Sequence, residues 1–127
     1  MTRLHLSLDY LPQVVGAGRR DAGEHVRSTW PVLDGLEQLV DDVRLVTSEL
    51  LGNAVRHGSP PLSLDVDLDV VDGRHRVVLT CRDGGPWDGT APSPSGGRGL
   101  VLVRAVCTRV DIDADEHHTT VTATLER

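Results

Sequence analysis

The chain has 127 residues, 39% hydrophobic and 25% charged, with a formal net charge of −6. That length suits one domain with a single core and no metal or disulfide staples, so residues 1–127 are expected to fold as one unit. An acidic chain without a basic stripe has little to offer a phosphate backbone. Its only aromatics, Tyr10, Trp30 and Trp87, are too scattered to stack bases, which argues against direct nucleic-acid binding.

All 13 basic side chains are Arg, which removes Schiff-base chemistry and the P-loop lysine. Any nucleotide site must therefore be built another way. Cys81 and Cys107 stand apart without a C-x-x-C pattern and read as reduced core thiols, although the sequence leaves a disulfide between them open. No basic-then-apolar leader opens the chain, and no apolar run reaches the roughly 18 residues of a membrane span. A soluble, unprocessed, cytoplasmic protein is the expectation.

In chain order, Leu4 to Asp9 alternates apolar and polar residues, the period of a half-buried edge strand. Pro12 to Trp30 is helical in its later part, with Ala22, Val26 and Trp30 on one face, although Gly16, Gly18 and Gly23 weaken it. Asp34 is the expected cap of the next helix. There Leu36, Leu39, Val40, Val43, Val46, Leu50 and Ala54 make an amphipathic seam. Glu49 and Asn53 lie off that seam and four apart, so they stack on one helix face, with His57 one turn further. Gly52 costs the helix about 1 kcal/mol relative to alanine. Either a ligand approaches the backbone there or the helix packs tightly on a neighbour. Gly58, followed by Ser59-Pro60-Pro61, reads as a left-handed stop.

Leu62, Leu64, Val66, Leu68 and Val70 alternate with Ser63, Asp65, Asp67 and Asp69. The glycine and glutamate of a calcium loop are missing, so the aspartates read as a solvated sheet face. Asp72-Gly73 is a hairpin turn, and Arg74 to Arg82 returns as the antiparallel partner. A Gly/Pro/Ser-rich stretch then runs to Gly97 before a short helix, Arg98 to Val106, apolar enough to be largely buried. Glycine-rich backbone entering a helix offers free N–H groups to an anion, but Leu102 stands where a dinucleotide fingerprint needs its third glycine. Arg109 to Ala114 and Thr119 to Leu125 close the chain as a hairpin, with His117 and His118 as turn residues. The sum is α+β, a two-layer sandwich with a mixed or mostly antiparallel sheet and its helices packed on one face.

Three features now fall in order: a helix with Glu49 and Asn53, a strand ending Asp83-x-Gly85, and a lid, at about 84–97, that closes on Gly97-Arg98-Gly99-Leu100. Together they resemble the Bergerat-type ATP-binding fold of histidine kinases, type II topoisomerases and Hsp90 chaperones. Within it, Glu49 to Gly58 is similar to the N-box of the anti-sigma-factor serine/threonine kinases of Gram-positive bacteria, and the likeness covers nearly the whole chain. The resemblance implies that Asn53 binds Mg2+, that Glu49 is the catalytic base, and that Asp83 accepts a hydrogen bond from adenine beside Gly85. It also implies that Gly97, Arg98, Gly99 and Leu100, with His57, complete the ATP site.

The function implied is phosphorylation of an anti-sigma-factor antagonist with Mg-ATP, together with capture of a sigma factor, by a homodimer. The chain departs from the usual D-x-G-x-G by placing Trp87 at the last glycine. A second function is therefore carried alongside: a non-catalytic nucleotide-binding module that captures a regulatory partner protein. No phosphoacceptor-histidine helix precedes the fold, which disfavours a sensor histidine kinase.

Overall fold

Alternating side chains in the strands and a three-and-four apolar spacing in the helices give each element one face to bury, and the architecture follows from joining those faces. The computed structural model describes residues 2–86 and 98–127, with backbone alone at 98–100. The elements are β1 (Thr2–Leu8), α1 (Val14–Thr29), α2 (Leu36–His57), β2 (Leu62–Val71), β3 (Arg74–Asp83), α3 (Arg98–Val106), β4 (Arg109–Ala114) and β5 (Thr119–Glu126). The five strands form one sheet in the order β1-β2-β3-β5-β4, every described pairing antiparallel.

One sheet face supplies Leu64, Val66, Leu68, Val77, Leu79, Ala123 and Leu125 to the core, where they meet Val26, Leu39, Val43, Val46 and Leu50 of the helices. The core is aliphatic, as the scarcity of aromatics requires. Cys81 and Cys107 are both free thiols, and burial pushes Cys81 up to about 12 and Cys107 to about 11, so neither is a ready nucleophile. No helix among the described residues is long and apolar enough to cross a membrane. Asp72 and Gly73 both take positive φ, 53° and 78°, the backbone of a two-residue hairpin whose twist matches its strands.

The structure corrects several local expectations. Asp34 does not cap α2; Gly35 does, at φ 77°, with no side-chain cap, because the chain enters the helix through left-handed backbone. Gly58 is extended, at φ −89° and ψ −159°, rather than left-handed. Its glycine has a steric reason instead, given below. The outer sheet face is ion-paired rather than simply solvated. Register sets Arg3 opposite Asp67 and Arg76 opposite Asp69, and the pairs close at 2.6 and 2.7 Å, while His5 bonds Asp65. Val70 lies near the hairpin tip and is exposed rather than part of the core. The apolar α3 is only partly buried: Val103 is enclosed, but Val101 and Leu102 face outward at 68% and 47% exposure. Among the described residues the helix packs mainly against α2 and β4.

Candidate nucleotide site

The site begins where β3 ends. Asp83 is buried, 6% exposed, and no cation pairs with it among the described residues. Its Oδ1 accepts the Gly85 N–H at 2.8 Å. Burial raises its carboxyl above the ordinary range, while the backbone N–H groups of Gly85 and Ser59 pull the other way. An acceptor held inside the protein without a cation is suited to a neutral donor such as an amino group on a heterocycle.

The cradle around Asp83 is made by backbone that touches backbone. A Cβ on Gly58 would stand 2.5 Å from the Asp83 carboxyl carbon and 2.7 Å from the Ala54 carbonyl oxygen, so only glycine fits where α2 hands over to the loop. Gly84 donates to the Ser59 carbonyl at 2.6 Å, and a Cβ there would overlap the Pro60 carbonyl oxygen. A Cβ on Gly85 would sit 3.0 Å from the Ser59 nitrogen and 3.1 Å from the Gly58 carbonyl carbon. Gly85 therefore has a packing role of its own, in addition to the close approach of a base that the resemblance implies.

Two further side chains secure this corner, and the sequence reading missed both. Thr119, paired with Asp83 across β3 and β5, donates its hydroxyl to the Gly85 carbonyl at 2.8 Å. The Tyr10 hydroxyl lies 2.8 Å from the Ala54 and Val55 carbonyls and 2.6 Å from that of Gly58, so it serves the bare carbonyl end of α2. Burial first, and then the Asp83 charge, raise its pKa, which keeps the proton it donates. Neither contact has a local signal. A threonine opening a terminal strand and a tyrosine after an edge strand are ordinary neighbours until the fold brings them together.

Glu49 and Asn53 occupy another flank of α2. Helix α1 packs on Thr47 and Leu51, with Arg44 laid across Gly23. At 3.6 residues per turn, Glu49 and Asn53 therefore point away from α1. Glu49 is half-buried, with no hydrogen bond or ion pair among the described residues. Asn53 Oδ1 accepts from the Arg56 guanidinium at 2.9 Å. Gly52 does not mark tight packing on a neighbouring element among the described residues: a Cβ there would meet only the flexible Arg56 guanidinium, 3.4 Å away. His57 is exposed in the last helical turn. Arg98, Gly99 and Leu100 form the first turn of α3, whereas Gly97, Trp87 and most of the expected lid fall in 87–97, outside the described residues.

The donors fit the groups the resemblance names. A cation-free buried carboxylate suits the adenine amino group. No cluster of three or more His, Cys, Asp or Glu among the described residues could hold a metal by itself. One carboxamide is instead the sparse protein contribution that Mg2+, which keeps its waters and phosphate oxygens, commonly takes.

One solved structure agrees with this architecture at the level of fold. The structure of the RsbU and RsbW domains of Rv1364c from Mycobacterium tuberculosis superposes over 100% of this chain and 33% of its own, with a TM-score of 0.71 and 21% identity. This chain thus spans about a third of that one, and at this identity the likeness is one of fold. The histidine kinase AdeS of Acinetobacter baumannii matches 98% of this chain and 68% of its own at a TM-score of 0.49 and 17% identity. The histidine kinase domain of the Erythrobacter litoralis blue-light activated kinase matches 68% and 43%, at a TM-score of 0.49 and 20% identity. No curated protein matches the chain. The family described as histidine kinase-like ATPase domain matches residues 18–125, a stretch that holds Glu49, Asn53, Asp83, Gly85 and Thr119, and the chain belongs to that family.

Proposed function

We propose that the chain binds ATP with Mg2+ at the Asp83 and Asn53 flanks and acts as a serine/threonine protein kinase of the anti-sigma type, with an anti-sigma-factor antagonist as substrate and a sigma factor as its captured partner. Membership in an ATPase family brings nucleotide binding with it. The observation that carries the catalytic part is Glu49, a carboxylate one turn before Asn53 that is engaged by nothing among the described residues. Bound Mg-ATP supplies the phosphoryl group and its neutralising cation. Asp83 would orient the base through the adenine amino group, Asn53 would hold the metal once its amide leaves Arg56, and Glu49 would take the proton of an attacking hydroxyl. His57, Gly97, Arg98, Gly99 and Leu100 are the remaining proposed ATP contacts, and a cytoplasmic homodimer is the proposed working form.

The second reading is a nucleotide-binding module that captures a regulatory protein without phosphorylating it. Asn53 favours it, because the proposed metal ligand is already bonded to Arg56. Glu49→Gln separates the two. If Glu49 is the base, radiolabelled phosphate transfer to the antagonist protein falls about a hundredfold, while calorimetric ATP affinity is unchanged. Transfer at the wild-type rate removes Glu49 from the mechanism, and no transfer by either protein, with ATP bound, leaves the capture module.

A further inference from the structure

On the α1 flank of α2 lies a groove of about 910 Å³ between α1 and α2. Its α1 wall runs from Gln13 to Arg20 and its α2 wall from Asp41 to Ser48. Seven residue steps on each side make it about 10 Å long, two helical turns. Small residues, Gly16 and Ala17, lower the α1 wall, and no neighbouring atom among the described residues lies within 4 Å of where a Gly16 side chain would begin.

The charges lining this groove run against those of the whole chain. Arg19, Arg20 and Arg44 border it with Asp41 as the one acidic lining residue, in a chain whose net charge is −6. Their existing partners are weak: Arg20 meets Asp21 and Arg44 meets Glu24 only at 3.9 Å, and Arg19 has no ion pair among the described residues. Arg44 is also held in place. Its side chain lies over Gly23, where a Cβ would come within 2.7 Å of its Nε. On the α2 wall, the Ser48 hydroxyl is shielded from solvent and bonds to no partner among the described residues.

We propose that this groove is a docking site for an acidic helical segment of a partner protein, with carboxylates one turn apart bridging Arg19 and Arg20 on one wall and Arg44 on the other. Guanidinium forks match carboxylates in pairs, and a two-turn groove with a lowered wall takes one helix face. The proposal stands apart from the nucleotide reading, since Ser48 and Glu49 are neighbours in sequence on different flanks of α2.

The test uses the full chain and a fluorescein-labelled helical peptide carrying Glu at i and i+4 on an Ala/Leu background, beside its Gln counterpart and a version with the Glu spacing scrambled. Anisotropy should show the Glu peptide binding about tenfold tighter than the other two. The preference should weaken with salt and should disappear in Arg20→Gln and in Arg44→Gln. Arg19→Gln is the exposed variant that keeps the test open if Arg44→Gln folds poorly, and Arg82→Gln, on the opposite sheet face, should bind as wild type. Calorimetric nucleotide affinity in the same variants should not move, so failure here is distinguishable from failure of the ATP site. Equal binding of all three peptides, wild-type binding by the groove variants, displacement by inorganic tripolyphosphate regardless of Glu spacing, or no binding near 1 mM would each overturn the proposal.

Discussion

Asp83 and Asp69 sit on adjacent strands of one sheet, yet the protein treats them in opposite ways. Asp69, on the outer face, is gripped by the Arg76 guanidinium at 2.9 and 2.7 Å, which lowers its pKa. Asp83, at the strand end, is buried with two backbone N–H groups as helpers and no cation among the described residues, and its pKa is raised. The first is a carboxylate placed where the fold satisfies it. The second works against the fold, and such conflicts tend to mark positions kept for a ligand.

The largest test of this contrast is steric. Gly84→Ala forces a Cβ into the Pro60 backbone and should remove about 2–3 kcal/mol of stability in urea denaturation, taking nucleotide binding with it. A variant as stable as wild type would show that the loop yields and that the cradle is not rigid. Asp83→Asn comes next and should split two readouts. Calorimetric ATP affinity should drop at least about tenfold, while stability without ligand should hold or rise, because the amide keeps an acceptor for Gly85 and sheds the buried charge. A loss of stability equal to the loss of binding would make Asp83 an ordinary structural residue. Thr119→Val should then cost about 1–3 kcal/mol, since the buried Gly85 carbonyl loses its donor, and Thr119→Ser should restore it.

The smallest effect lies in pH dependence, where the two aspartates carry opposite signs. Asp69 binds its proton less readily when folded, so its stabilisation is full above its ordinary value of 3.8 and fades as pH falls through the lowered value. Asp83 binds its proton more readily when folded, so its contribution is full below 3.8 and is lost as pH rises through the raised value. Stability measured against pH should therefore lose part of its acid decline in Arg76→Gln, and Asp83→Asn should steepen that decline. Parallel shifts in both variants would contradict the assignment.

The sequence reached far into this molecule because its periodic signals are local. Alternation in Leu62 to Val70, the spacing along Leu36 to Ala54, and Asp72-Gly73 gave β2, α2 and the hairpin, and with them the antiparallel layer. Motif order pointed to Glu49, Asn53 and Asp83 as candidates for the site. The misses share one physical cause. Exposure of Val101 and Leu102, the burial of Asp83 and the pairing of Asp67 with Arg3 depend on what lies opposite a residue, and composition does not record that.

What the sequence determined by itself is thus the set of elements, the burying face of most, and the family motifs, all properties of neighbours along the chain. Tertiary structure alone decided that Tyr10 and Thr119 close on the end of α2 and on Gly85, that Gly58 and Gly84 are glycines for contact rather than for turn conformation, and that three arginines gather on one side of a helix whose other flank carries Glu49. These juxtapositions join residues up to 48 positions apart, as in the Tyr10 contact with Gly58. Such contacts are set by the packing of strands and helices, and no local spacing rule encodes them.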